Sequence, residues 1–234
     1  MPEPHTETLP TMSRTKAARA VAGSGWRFVG GTLTTAVPVT SMADGAAVLA
    51  TVLAAAGGGA DGHVHVELAG GAVTLTLQTA TVGWVTQTDA DLVPVIDKAL
   101  AAQGFHGAPQ VGGRAVQVVE LAIDAMDIPA IRPFWKAVLG YADEAGDGAP
   151  DAPLVDPARQ GPAIWFQQMD VPREQRNRIH FDVMVGEDEA DARVQAAIAA
   201  GGRLLSDDSA RAFWVLADLE GNEICVCTWQ DRSD

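Results

Sequence analysis

The stretches RIHFDVMV (178–185) and DLEGNEICVC (218–227) decide how this chain is read. Each reads as a β-strand, because apolar residues recur at every second position and successive strand side chains point to opposite faces. In the first, Ile179, Phe181, Val183 and Val185 share one face, and His180, Asp182 and Met184 share the other. In the second, Ile224 and Val226 face one way, and Glu223, Cys225 and Cys227 the other. A sheet with an apolar back and a polar front is built to hold a ligand in a cup. Imidazole, carboxylate and thiolate are all groups that bind metal ions.

Working outward, one order of elements occurs twice. VQVVELAI (116–123) reads as a strand, IPAIRPFWKAVLG (128–140) as a helix closed by Gly140, and short strands follow near 153–156 and 163–168. The second round starts at RIHFDVMV. It continues with a helix in EDEADARVQAAIAAGG (187–202) and strands in RLLS, AFWVLAD and NEICVCT. The pattern is βαβββ twice, a structural repeat without obvious residue identity.

The first half has a different order. Residues 1–12 read as a flexible leader and 13–22 as a short helix. WRFVGGTLTTAVPV (26–39) reads as a hairpin around Gly30-Gly31, and HVHVELAGGAVTLTLQT (63–79) as another around Gly70-Gly71. SMADGAAVLATVLAAA (41–56) reads as a helix with Ser41 as N-cap and a glycine run ending it. TDADLVPVIDKALAAQGF (88–105) reads as a helix starting at Thr88 or Asp89, with Pro94 near its start. GAPQVGGR (107–114) has linker composition. The expected organisation is a leader (1–12), an α+β domain (13–106), a linker (107–114) and a second α+β domain (115–230).

Charge narrows the function. The chain of 234 residues has a formal net charge of −14. Up to position 110 there are five basic and eight acidic residues, and beyond it eleven and twenty-two. The acidic second half disfavours nucleic acid, which needs a basic face, and an anionic membrane surface. The first residues lack the charged and apolar regions of a signal peptide. The apolar run AAVLATVLAAA (46–56) is about half the length needed to span a bilayer. The only cysteines, Cys225 and Cys227, sit two apart on one strand, a poor geometry for a disulfide. A cytoplasmic protein with free thiols is expected. The apolar run is also small-residued on several sides, which suits a homodimer as well as burial.

Residues 116–229 resemble the vicinal oxygen chelate superfamily, which includes glyoxalase I and bleomycin-resistance proteins. The resemblance rests on Asp127, Phe134-Trp135, Leu139-Gly140, the Leu154–Pro157 segment, GPAIWFQ (161–167), NRIHFDVMV and DLEGNE. It implies two βαβββ modules joined into a cupped sheet, with metal ligands on the first and last strands. Carried over residue by residue, it places Glu120 and His180 at the first-strand positions. Cys225 stands where a glutamate is usual, with Glu223 two residues earlier on the same face. Iron, manganese, nickel or zinc would suit such a set. Glu120, His180 and Glu223 are then the candidate catalytic groups, and Glu120, His180, Glu223 and Cys225 the candidate ligands. Asp182, Trp165 and Trp214 are candidate substrate contacts. Trp135, on a helix face with Ile131 and Leu139, is expected in the core.

Residues of about 12–104 resemble pterin-4a-carbinolamine dehydratase, from GWRFVGGTL through GHVHVELAGGAVTLTLQTATVGWVT to the helix at 88–103. The resemblance implies a sheet with helices on one face. The family's His-His-Pro-Asp and Thr-His positions are here Gly62, His63, Val64, His65, Thr79 and Ala80. One of three histidines remains. His63 and His65 are candidate substrate contacts, and His63, His65 and Glu67 share a strand face with metal-binding spacing. A solvated polar face is the alternative.

Three functions follow as expectations. The first is a small-molecule enzyme of glyoxalase-like type, a lyase, isomerase or dioxygenase, assisted by a divalent metal. The second is a non-catalytic binding protein that sequesters its small-molecule ligand. The third is a residual 4a-hydroxytetrahydrobiopterin dehydratase.

Overall fold

The computed structural model describes residues 9–145, 148–172 and 179–231. The chain divides into two compact units between Val118 and Val119. Both are α+β.

In the first unit, α1 (Arg14–Ala20) precedes the hairpin β1 (Arg27–Val29) and β2 (Thr32–Pro38). Then come α2 (Met42–Ala56), β3 (Val64–Ala69), β4 (Ala72–Leu77) and α3 (Gln87–Ala102). The sheet order is β1-β2-β4-β3, antiparallel throughout. Ser41 caps α2 by accepting from the Asp44 amide. Alternation along β4 sends Val73, Leu75 and Leu77 into a core shared with Val48 and Val52 of α2 and Val93, Ile96 and Leu100 of α3. α2 with its trailing glycine turn, Met42–Gly59, is long and apolar enough to cross a membrane by length and composition. Its Val48 and Val52 are nonetheless committed to this core, while Ala43, Ala46, Ala47, Ala50 and Leu53 are exposed.

Residues 107–114 carry more structure than their linker composition suggests. Ala108 exchanges backbone hydrogen bonds with Ala36 at 2.8 and 3.0 Å, and β5 (Gln110–Val111) and β6 (Arg114–Ala115) form a small hairpin. The glycines that signal flexibility here make a turn instead: Gly112 and Gly113 both have positive φ. Helix α3 starts slightly earlier than expected. Thr86 is its N-cap, and Asp89 closes a capping box three residues on.

The second unit contains β7 (Glu120–Ala125), α4 (Ile128–Leu139), β8 (Ala142–Asp143), β9 (Leu154–Val155) and β10 (Ala163–Gln168). It then repeats the order as β11 (Phe181–Met184), α5 (Ala190–Ala199), β12 (Arg203–Ser206), β13 (Phe213–Ala217) and β14 (Glu223–Cys227). The two sheets have the orders β7-β10-β9-β8 and β11-β14-β13-β12. In each, the first strand pairs in parallel with the last. The repeat expected from element order is thus a repeat of topology.

Local chemistry supports each turn. Asp127 caps α4 by accepting from Ala130 N, and Gly140 ends the helix in a left-handed conformation, φ 69°. Both sheets send their apolar faces to one core with Ile131, Phe134 and Trp135 of α4 and Val194 and Ala197 of α5. After α5 the chain passes so close to α4 that a Cβ on Gly202 would lie 2.3 Å from the Phe134 ring and 2.8 Å from the Ala197 carbonyl oxygen. Gly202→Ala is therefore expected to destabilise this unit by about 1–3 kcal/mol, measured by urea denaturation. An unchanged midpoint would contradict this packing.

Candidate functional site

Parallel pairing of β11 with β14 builds the site. Phe181 registers with Ile224, Asp182 with Cys225, Val183 with Val226 and Met184 with Cys227. Phe181, Val183, Ile224 and Val226 pack into the core. Strand alternation therefore turns Asp182, Met184, Glu223, Cys225 and Cys227 to the opposite face. His180 immediately precedes β11, and its Nε2 lies 3.5 Å from Asp182 Oδ1.

Among the described residues, one group of three metal-binding side chains comes together: His180, Asp182 and Cys225, whose donor atoms all lie within 4.8 Å of one another. His180 and Asp182 are exposed, whereas Cys225 is buried. Burial first, then the charge of Asp182, then Cys227, push the Cys225 thiol up to about 11. The strands thus bring imidazole, carboxylate and thiol together at a solvent boundary.

Glu223 and Glu120, expected as ligands, lie outside this group. Glu223 registers with Ala217, a full pleat away from the Asp182–Cys225 pair, so its carboxylate starts about 7 Å further along the strand. Asp182 takes the place expected for it, because the parallel register sets it directly beside Cys225.

Glu120 belongs to the equivalent position of the other sheet. Leu121 registers with Ile164 as Phe181 does with Ile224. One step back, Glu120 corresponds to His180; one step forward on the last strand, Trp165 corresponds to Cys225. Glu120 is exposed, and Trp165 keeps 38% of its surface accessible on the same helix-free face. Glu144, just past β8, was not singled out by any sequence pattern. Burial, and second the charge of Glu120, raise its carboxyl above the ordinary range.

Trp214 is corrected from ligand wall to core. It registers with Val226, so alternation turns it toward the helices, where it is 9% exposed within the core cluster. DLEGNE is also a scaffold. Asp218 is fully buried and accepts from Glu220 N and Asn222 N at 2.9 Å, Asn222 Nδ2 at 2.8 Å and Trp135 Nε1 at 3.0 Å. Glu220 in turn accepts from the Met126 and Asp127 amides beside the start of α4.

In the first unit, His63 and His65 part company. His63 stands before β3, and its Nδ1 lies 2.8 Å from Oδ1 of fully buried Asp89. Oδ2 of Asp89 accepts from Thr79 N, Thr79 Oγ1 and Thr86 N at 3.1, 2.7 and 2.7 Å. His65 registers with Thr76 and Glu67 with Thr74, on the face away from Val73, Leu75 and Leu77. The His63, His65 and Glu67 spacing therefore yields no three-donor group, because Asp89 draws the first ring toward α3. The histidine-to-carboxylate pairing joins residues 26 apart, which local patterning does not reveal.

The family model for a glyoxalase-like domain matches residues 120–227. A glyoxalase/bleomycin resistance protein/dioxygenase family enzyme from Burkholderia phytofirmans PsJN is 22% identical, with 47% of this chain and 95% of that chain covered and a TM-score of 0.37. A genomically encoded fosfomycin resistance protein from Listeria monocytogenes is 9% identical, covering 52% and 97%, with a TM-score of 0.40. A glyoxalase-related enzyme from Fulvimarina pelagi is 17% identical, covering 48% and 87%, with a TM-score of 0.39. No curated protein matches the chain.

Proposed function

We propose that the second unit, whose residues 120–227 match the family model for a glyoxalase-like domain, is a small-molecule enzyme of the vicinal oxygen chelate superfamily assisted by a divalent metal. The observation that carries this reading is the meeting of His180, Asp182 and Cys225 on the helix-free face of β11 and β14. Three side chains of mixed donor type fit a divalent ion and leave coordination positions for substrate, as catalytic sites do. When bound there, the ion would polarise a substrate oxygen as a Lewis acid.

Trp165, on the corresponding strand of the other sheet, is part of this proposal. Trp165 offers a flat surface against which a small substrate can stack. His180→Ala should lower turnover by at least about 100-fold and leave the circular dichroism unchanged, because the ring is half exposed. The assay incubates the full chain with a panel of vicinal diols, α-hydroxycarbonyls and epoxides and follows products by mass spectrometry. Absence of turnover, or full activity in the variant, defeats the enzyme reading. Saturable binding without turnover replaces it with the sequestering protein.

A second reading concerns the first unit, and the observation favouring it is the His63–Asp89 pair. We propose, as that second reading, that this unit is a pterin dehydratase reduced to a residual activity. Ala80 N donates to Gly62 O at 2.8 Å, so the two positions that lack acid–base chemistry are joined through the backbone, and Gly62 directly precedes His63. Gly62 has φ +74°, which adds backbone strain to any histidine restored there. Carbinolamine dehydration should run at least about 100-fold below that of three-histidine enzymes. Equal rates in a stopped-flow assay would contradict this.

A further inference from the structure

The donor set departs from an all-oxygen and nitrogen site, and the departure has a chemical consequence. Thiolate ligands favour zinc and similarly thiophilic ions, whereas carboxylates, carbonyls and water suit magnesium and manganese. Here the sulfur cannot simply give way to a carboxylate of the same strand. Glu223 lies a pleat away, opposite Ala217, whereas Cys225 is flanked in register by Asp182 and Val215.

We propose that Cys225 binds the ion as a thiolate, making His180, Asp182 and Cys225 an N, O, S site selective for zinc-like ions over magnesium and manganese. This rests on the metal-assisted reading above. Bonds of about 2.0–2.1 Å to nitrogen, 2.0–2.2 Å to oxygen and 2.3 Å to sulfur require the donors to close from their present limit of 4.8 Å. The exposed imidazole and carboxylate do the moving, by rotamer changes toward a sulfur fixed in the strand. On binding, the S–H bond breaks, its proton leaves to the buffer and the sulfur lone pair takes up the ion. Burial of the sulfur keeps bulk water from competing at that position, and the exposed side remains open for substrate oxygen.

The Glu120 position offers an internal contrast. Its last-strand counterpart of Cys225 is Trp165, which has no ligand atom. The pseudo-symmetric sheet thus has a stacking surface where this one has sulfur, so a single ion belongs to the second sheet.

The test titrates the full chain, purified without a chelator or metal-affinity tag, with cobalt(II) chloride. A near-ultraviolet thiolate-to-cobalt charge-transfer band should rise to one ion per chain. Zinc should displace it, and excess magnesium or manganese should not. Cys225→Ser should abolish the band and weaken cobalt binding, read by equilibrium dialysis with elemental analysis, by more than about 100-fold, the upper end for losing merely an outer-shell partner. Cys227→Ser, one pleat along the same face, should retain both. Cobalt bound without the band, or with undiminished affinity in Cys225→Ser, overturns the thiolate site and leaves the metal-assisted enzyme standing. Failure of the wild-type chain to bind cobalt, zinc, magnesium or manganese overturns both. The wild-type band is decisive by itself should Cys225→Ser fold poorly.

Discussion

Trp135→Ala is expected to destabilise the second unit by about 3–5 kcal/mol. The ring is 1% exposed. It stands edge-on to Phe134 at 5.5 Å and to Phe181 at 5.9 Å, so its removal empties the junction between α4 and the first strand of the second module. The indole also donates to Asp218 Oδ2 at 3.0 Å, and that carboxylate is fully buried. Trp135→Phe separates the two contributions. It refills most of the volume but deprives a buried carboxyl acceptor of one hydrogen bond, for a cost of about 1–3 kcal/mol. Hydrogen exchange by mass spectrometry over a urea series, reading peptides from 120–227 apart from those before 118, measures both. A loss below about 1 kcal/mol for the alanine variant would mean that the site collapses around the missing ring.

These residues also mark how far the sequence could be read. Period-two alternation separated His180, Asp182 and Cys225 from the core face, and Gly140 and Asp127 marked the ends of α4. Those signals are local, each set by a few neighbouring residues. Alternation does not say which face meets the helices, which is why Trp214 reads as a substrate contact in the sequence while its register with Val226 turns it into the core. Nor does it set the register between two strands forty residues apart. That register made Asp182, and not Glu223, the partner of Cys225. Asp218 reads as the last residue of a strand, and its bond to Trp135 spans 83 positions. The chemistry of the candidate site was legible as a list of residue types on one face; its membership was decided by pairing.

The same limit applies to Asp89, and replacing it should have the largest effect in the first unit. Asp89→Ala is expected to cost about 3–5 kcal/mol, as removal of one partner from a buried polar pair does. The Thr86 amide loses the capping acceptor that starts α3, and the Thr79 amide and hydroxyl lose theirs. Asp89→Asn tests the arrangement more finely. Its amide oxygen can keep accepting from the Thr79 and Thr86 groups, which all meet Oδ2. The NH2 then replaces Oδ1 opposite His63 Nδ1. An amide donates there, so His63 must present a lone pair at Nδ1 and carry its proton on Nε2. The asparagine variant should therefore stay folded, at a cost of about 1–2 kcal/mol for a weakened charge-assisted bond, while its imidazole changes tautomer. Long-range nitrogen–proton correlation spectra of the full chain read that change directly. An unchanged His63 tautomer, with the asparagine variant as unstable as the alanine one, would mean that Asp89 serves the helix cap alone and does not orient the ring.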